Sequence, residues 1–200
     1  MTVAVLFALE REAAPFRTLA RGMPGVHSHV AGVGRRRARV AAERALADAS
    51  PRLIVAAGFC GALVPDLRVG DVVTERIVTV DRLVADPAEK RRLAEAHHAV
   101  AVDMESAAVA AVCAERGVSF RTVRAVSDTA DTALSPRLVR LLSGGSVSPL
   151  KALAAVARQP SLLAEFVRLA RDTSVAARNL AAELVRVLKQ QSPPVATGGL

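Results

Sequence analysis

The sequence predicts an α/β fold, a three-layer α/β/α sandwich with a mostly parallel mixed sheet, followed by a helical C-terminal arm. Two observations lead to this prediction. Short, continuous apolar runs, such as residues 3–8 and 53–57, alternate with longer segments whose apolar residues have helical spacing. After Pro136 only helical spacing remains. Alternating strands and helices favour a parallel sheet covered by helices on both faces.

In chain order, the elements follow this alternation. The predicted strands cover residues 3–8, 27–31, 53–57, 71–74, 76–80, 99–102 and 121–126. The predicted helices cover residues 10–21, 35–49, 87–97, 103–116, 147–158 and 161–189. Glycine and proline mark several ends: Gly58 ends the third strand, Gly117 follows the fourth helix, and Pro160 separates the last two helices.

The chain length suits one domain, since 200 residues is within the usual range. We expect this domain to cover residues 1–189, with the helical arm at residues 136–189. Residues 190–200 hold two prolines and two glycines, and we expect them to form a disordered tail.

Composition argues against several classes of protein. The chain has five Phe and no Tyr or Trp, too few aromatic platforms for a module that stacks exposed bases, so no nucleic-acid partner is expected. The net charge of +8 comes mainly from Arg. We favour a solvated basic surface over an anion-attracting one. Cys60 and Cys113 have no neighbours at metal-ligand spacing, so we expect no metal site and a reducing, cytoplasmic location.

Polar residues that follow the predicted strands are the candidates for a site, because ligands of open parallel sheets bind beyond the carboxyl ends of the strands. These candidates are Glu10, Glu12, Gly32–Arg35, Gly58–Gly61, Asp103–Glu105, Ser127 and Asp128. Each one alone has a structural explanation, for example a carboxylate that favours a helix N-terminus. Together they place carboxylates, two glycine-rich turns and an Arg around one crevice. No Walker loop or Ser-His-Asp elbow accompanies them.

The motifs at these positions are similar to those of a known family. The stretch AVDMESAAVA at residues 101–110 is followed by RAVSDTAD at residues 124–131. Before them stand GVG at 32–34, GFCGAL at 58–63 and VGDVV at 69–73. In this order the motifs resemble the nucleoside phosphorylase family, especially its bacterial nucleosidase branch, over residues 1 to about 135. Residues 79–83 and 87–91 look most like the short hopanoid-biosynthesis-associated phosphorylases.

The resemblance implies cleavage of the bond between a ribose carbon and a purine nitrogen. It implies that Asp128 is the general acid at the purine, in a partly desolvated, hydrogen-bonded pocket, and that Ser127 orients it. Glu12 matches the residue that activates water in the hydrolysing branch. The expected pocket residues are Glu105 for the ribose hydroxyls, Met104 packed on the sugar, and Phe59, Cys60 and Gly61.

The nucleophile stays open at this point. The phosphorylase branch grips phosphate with an Arg and a Ser around the third-strand turn, where this chain has Ala56 and Phe59. Gly34 and Arg35 are a candidate substitute, with inorganic phosphate as co-substrate. The alternative is water, with Glu12 as the base. No other cofactor is expected.

The middle of the chain is short. Only 32 residues separate Gly70 from Asp103, and none of them is a Phe, Tyr or Trp. Longer relatives place a base-stacking aromatic in this interval. The base pocket is therefore open, completed by a second subunit of a homodimer, or remodelled for a bulky 5′ group such as a hopane. The basic, amphipathic C-terminal helices could rest on a membrane. Packing on the sheet or on a subunit is the interpretation that we favour.

Three hypotheses for function follow. The first is release of adenine from a purine nucleoside with a modified 5′ position, adenosylhopane being one candidate. The second is the same chemistry on methylthioadenosine, adenosylhomocysteine or futalosine. The third is a non-catalytic nucleoside-binding protein that has kept the fold.

Overall fold

Seven strands and five helices occupy residues 2–135 and 162–191, the part of the chain that the computed structural model describes. The strands are β1 Val3–Phe7, β2 Val26–Val30, β3 Leu53–Ala62, β4 Val72–Val73, β5 Ile77–Thr79, β6 Ala101–Asp103 and β7 Ser119–Asp128. The helices are α1 Glu10–Leu19, α2 Arg35–Ala49, α3 Pro87–His97, α4 Ser106–Arg116 and α5 Leu162–Gln191.

The strands form one mixed sheet that is mostly parallel. β1 pairs in parallel with β2 and β3, β3 with β7, and β5 with β6. β6 runs antiparallel to β3, and β4 runs antiparallel to β7. The predicted α/β class and sheet type are confirmed.

Two helical layers cover the sheet because the side chains of β1 and β3 alternate between its faces. Val3, Val5 and Phe7 of β1 pack in one cluster with α1 and α5. Ala4 and Leu6 pack in the other cluster, against α2 and α4. Nearly every position on these strands is buried, which is why they read as continuous apolar runs rather than as alternating ones.

One edge of the long strand β3 is paired only in part, which leaves a gap between its two neighbouring strands. β7 pairs with β3 from Leu53 to Gly61 on one edge. The other edge is shared: β1 pairs with β3 from Leu53 to Ala56, and β6 pairs with Gly61 and Ala62. Residues 57–60 of β3 therefore lie between β1 and β6, and no strand of the described residues pairs with them on that edge. The prediction that β3 ends at Gly58 was wrong, because the ladder with β7 continues through this glycine.

Helix α5 is part of a layer rather than a separate arm. Its second half buries apolar residues such as Leu180 and Leu184 in the same cluster as α1 and the sheet. Asn179 donates its side-chain N–H to the carbonyl of Gly70 at 2.9 Å, which anchors the helix beside β4. The helix predicted at 161–189 is confirmed. The helix predicted at 147–158 and tail residues 192–200 lie outside the described residues. Within the described ranges, no helix has the length and hydropathy needed to cross a membrane.

Candidate active site

Glu12 closes the gap along β3 with its carboxylate. Glu12 lies in the first turn of α1, directly after β1, and its side chain reaches β3. Oε2 accepts the backbone N–H groups of Ala8 and Leu9, each at 2.9 Å, and Oε1 accepts that of Phe59 at 3.0 Å. No strand within residues 2–135 and 162–191 pairs with Phe59 on this edge, and Glu12 accepts the N–H that a strand would otherwise bind. The residue is 2% exposed.

Burial raises the pKa of Glu12 from 4.5 to about 7. Removal of the carboxylate from water is the largest cause, and the negative charge of Glu105 acts in the same direction. The Phe59 and Leu9 N–H groups and the charge of Arg124 oppose the shift. A carboxyl group that titrates near neutral pH can take a proton and return it, which is what a general base must do.

Arg124 is a buried cation that holds two acidic residues in place. Its guanidinium lies 2.6 Å from Oδ2 of Asp103 and 3.4 Å from Oε2 of Glu105, and it also donates to the Ser106 hydroxyl. Arg124 pairs with Gly58 in the β3–β7 ladder. Because Gly58 has no side chain, the guanidinium can lie against the strand. Asp103 accepts the N–H of Ser106, which is why α4 begins there and not at residue 103 as predicted.

Glu105 lies between Arg124 and the glycine turn that precedes α2. Its Oε1 accepts the backbone N–H of Gly34 at 2.9 Å, and the residue is 8% exposed. Neighbouring Met104 is half-buried. The structure thus brings Glu105 to the Gly58 end of the gap, near Glu12.

The space around Gly58 leads to a first prediction. A Cβ at this position would lie 2.6 Å from Nη1 of Arg124 and 3.0 Å from Oε1 of Glu12. The guanidinium cannot move away cheaply because its carboxylate partners are buried with it. We expect Gly58→Ala to lower kcat/KM by about 10²-fold by displacing these groups. Steady-state kinetics on a nucleoside that the wild type cleaves would measure the loss.

Gly117→Ala is the matched control for this variant. Gly117 has a φ of +64°, and a Cβ there would meet no atom within 4 Å. We expect that variant to lose some stability through backbone strain and to keep its activity. Equal activity losses in both variants would show that the Gly58 effect is one of general folding.

Asp128 lies at the other end of the same strand segment. A bulge between Cys60 and Gly61 shifts the register of β3 against β7, so Asp128 pairs with Gly61. A Cβ on Gly61 would lie 3.0 Å from Oδ2 of Asp128. The Ser127 hydroxyl donates to Oδ1 of Asp128 at 2.9 Å and lies 3.2 Å from the Cys60 carbonyl oxygen. The Asp128 side chain is 13% exposed and hydrogen-bonded.

Cys60 takes part through its backbone only. The thiol is buried in an apolar cluster with Ala62, Val73 and Val126, and burial raises its pKa far above the usual range. Of Cys60, which was expected among the pocket residues, the backbone carbonyl oxygen reaches the Ser127 hydroxyl, and the side chain packs in that cluster.

Two residues of this site have no role in the sequence prediction. Arg124 is one, and Lys90 of α3 is the other: its Nζ lies 2.5 Å from Oδ2 of Asp128 and 2.7 Å from the carbonyl oxygen of Thr129. The side chain of Lys90 is completely buried. A weak signal was available in the sequence, since only three of the 27 basic residues are Lys.

Gly34 and Arg35, the candidate phosphate site, have protein partners here. The N–H of Gly34 donates to Glu105. The guanidinium of Arg35 lies 2.8 Å from Oδ1 of Asp81 and donates to the Thr79 carbonyl at 2.6 Å. A phosphate at this place would have to compete with Glu105 for the Gly34 N–H and would meet its negative charge.

Acidic side chains are arranged in a row along β3. Glu12 and Glu105 lie near Gly58, and Asp128 lies at Gly61, which is about 10 Å further along the strand at the usual rise per residue. Buried carboxyls at both ends suit a ligand with hydroxyls at one end and a protonatable ring at the other. Within residues 2–135 and 162–191, no group of three or more His, Cys, Asp or Glu side chains is arranged to hold a metal ion.

Comparison with known proteins gives one matching family and many similar folds. The family model described as "Phosphorylase superfamily" matches residues 13–74 and 74–142. No curated protein matches the chain. Among solved structures, 5′-methylthioadenosine/S-adenosyl homocysteine nucleosidase of Helicobacter pylori is 15% identical with a TM-score of 0.72, over 95% of this chain and 98% of that one.

Two further structures are similar to the same degree. Futalosine hydrolase of Helicobacter pylori strain 26695 is 15% identical with a TM-score of 0.72, covering 95% of this chain and 98% of that one. The 5′-methylthioadenosine/S-adenosylhomocysteine nucleosidase of Neisseria meningitidis is 19% identical with a TM-score of 0.71, covering 94% and 99%. At these identities the likeness shows a shared fold.

Proposed function

Because the chain belongs to the phosphorylase superfamily and is an enzyme of the nucleoside phosphorylase or nucleosidase kind, we propose that it hydrolyses the N-glycosidic bond of a purine nucleoside with a modified 5′ position and releases adenine. The observation that carries this proposal is the placement of Glu12, Glu105 and Asp128 in one row along β3. In the proposed complex, a groove along this row would hold the ribose at the Gly58 end and the base at the Gly61 end.

In the proposed reaction, water attacks the anomeric carbon and the electron pair of the glycosidic bond moves into the purine. Glu12 takes one proton from the water, and the Asp128 carboxyl gives one proton to the ring nitrogen of the departing base. Glu105 binds the ribose hydroxyls and lies where positive charge develops on the sugar. The products are the free sugar and the neutral base, and exchange of protons with solvent restores both carboxyls.

Water is favoured over phosphate as the nucleophile by two features of the site. Glu12 is buried and has a pKa of about 7, close to the value that suits a general base at neutral pH. The N–H of Gly34 and the guanidinium of Arg35 already have protein partners. Phosphorolysis with inorganic phosphate is the alternative, and it requires these partners to change.

The 5′ substituent is proposed to be apolar and bulky, with adenosylhopane as the candidate that the subgroup resemblance suggests. The short interval between Gly70 and Asp103 supports this, because it brings no aromatic side chain over the groove. A second subunit is the proposed source of any further covering of the base. The fold likeness to methylthioadenosine/adenosylhomocysteine nucleosidases and to futalosine hydrolase favours those nucleosides as the second candidates.

One experiment tests the proposal directly. The protein is incubated with adenosine, methylthioadenosine and adenosylhopane, each with and without phosphate, and free adenine is measured. Futalosine is included with its own free base as the readout. Base release that does not depend on phosphate supports hydrolysis, and the preferred nucleoside identifies the 5′ group. Binding of adenine without cleavage of any of these nucleosides would support the non-catalytic alternative.

The pKa of Glu12 predicts the pH dependence of the rate. A general base acts as the carboxylate, so kcat/KM should fall as the pH drops through about 7, the value at which Glu12 gains a proton. We expect this acidic limb in the pH–rate profile of the wild type. A profile that stays flat down to about pH 5 would contradict the role of Glu12.

A further inference from the structure

Lys90 is a buried cation placed directly against the proposed general acid. It comes from α3, in the shortened interval of the chain, and its side chain is completely buried. Nζ lies 2.5 Å from Oδ2 of Asp128, 2.7 Å from the Thr129 carbonyl oxygen and 3.5 Å from that of Thr132. The three N–H groups of an ammonium thus face three oxygen acceptors.

Packing alone does not explain this residue. Burial of an ammonium group is costly even when it is paired, and an apolar side chain of similar volume would fill the same space at least as favourably. The two carbonyl acceptors come from the segment that directly follows Asp128, so the cation fixes both the carboxyl and the backbone around it. Ser127 holds the other oxygen of the carboxyl. Asp128 is therefore oriented from both sides.

We propose that Lys90 is a positioning residue for the glycosidic cleavage, which orients the Asp128 carboxyl and stabilises the carboxylate that remains after the proton has passed to the base. This inference rests on the proposed function. In the proposed reaction the Asp128 carboxyl gives its proton to the base, and the carboxylate that remains faces the Lys90 ammonium at hydrogen-bond distance. The interaction is therefore stronger after proton transfer than before it, which is the condition for acceleration of the reaction.

The groups that face Asp128 are few among the described residues. Lys90 approaches from α3 and Ser127 from β7, and the Cys60 thiol of β3 interacts with the charge of Asp128. Burial raises the pKa of the Cys60 thiol, so it stays neutral near pH 7. Lys90 is thus the cation that directly contacts the proposed acid.

A double-mutant cycle tests the proposal in the full chain. We expect Lys90→Met to lower kcat by at least about tenfold, with a much smaller change in KM, because the effect arises during proton transfer. In the Asp128→Asn background the same change should alter kcat by less than about twofold, since Lys90 acts through Asp128. Equal losses in both backgrounds would overturn the proposal and indicate a structural role.

Two controls separate this outcome from misfolding. Arg92→Met removes an exposed cation from the same helix and should leave kcat unchanged. Thermal unfolding of Lys90→Met should show a folded protein, with the loss confined to kcat.

A measurement that needs no turnover distinguishes failure of this inference from failure of the proposed function. The carbon-13 chemical shift of the Asp128 side-chain carboxyl is compared by NMR in the wild type and in Lys90→Met at one pH. A chemical shift that differs in the variant supports the proposed pair, and coincident chemical shifts overturn it. Absence of base release by the wild type would overturn the proposed function while leaving this comparison as the test of Lys90.

Discussion

Replacement of Asp128 by Asn is expected to lower kcat by about 10²–10⁴-fold, the usual contribution of a general acid. This corresponds to roughly 3–5 kcal/mol of barrier. The reason is that Asn has the shape of the carboxyl group but cannot give a proton to the departing base. Steady-state measurement of adenine release would quantify the loss, and thermal unfolding would show that the variant is folded.

Asp131→Asn is the matched control for this variant. Asp131 stands three residues later in the same loop and is exposed. We expect its replacement to leave kcat unchanged. Wild-type turnover in Asp128→Asn, or a comparable loss in Asp131→Asn, would remove the role assigned to Asp128.

Replacement of Glu12 by Gln is expected to produce the second large effect, again about 10²–10⁴-fold in kcat, because Gln cannot take the proton of the attacking water. The acidic limb of the pH–rate profile should disappear with it. Addition of phosphate should not restore the rate if water is the nucleophile. Full restoration by phosphate would instead indicate phosphorolysis.

Glu10→Gln is the matched control, since Glu10 lies in the same first turn of α1 with its side chain 65% exposed. It should keep wild-type activity. The two variants should also differ in stability. The folded-state pKa of Glu12 is raised above 4.5, so its protonated form stabilises the wild type below that pH, and this contribution is lost as the pH rises through about 7. Glu12→Gln should lack this loss, whereas Glu10→Gln should show it, as measured by denaturant unfolding between pH 4 and 8.

The proposed groove explains why a nucleosidase-like site can persist on a short chain. Glu12, Glu105 and Arg124 are held by residues of the sheet and its first turns, and Asp128 is held by Ser127 from β7 itself. Lys90 shows that the interval between Gly70 and Asp103, although short, still contributes to the site. Because this interval has no aromatic side chain, the 5′ group of the proposed substrate would have to contact other surfaces.

Local patterns in the sequence determined the elements and the layers. Continuous apolar runs predicted β1 and β3, and helical spacing predicted α2 and α3. Both helices have the predicted bounds. The predictions of elements succeed because periodicity is a property of each segment alone. Position after the predicted strands led to the expectation that Glu12, Glu105 and Asp128 surround one crevice, and the structure places all three beside β3.

The tertiary structure decided the rest, because it depends on register and on contacts between distant segments. Continuation of β3 through Gly58 and the gap beside Phe59 follow from the way β1, β6 and β7 share its edges. Lys90 and Asp128 are 38 positions apart in the chain, and no local pattern around either residue predicts their contact. The same reason explains why Arg35 pairs with Asp81. An ion pair forms between the charges that the fold brings close together, and the sequence alone does not show which charges these are.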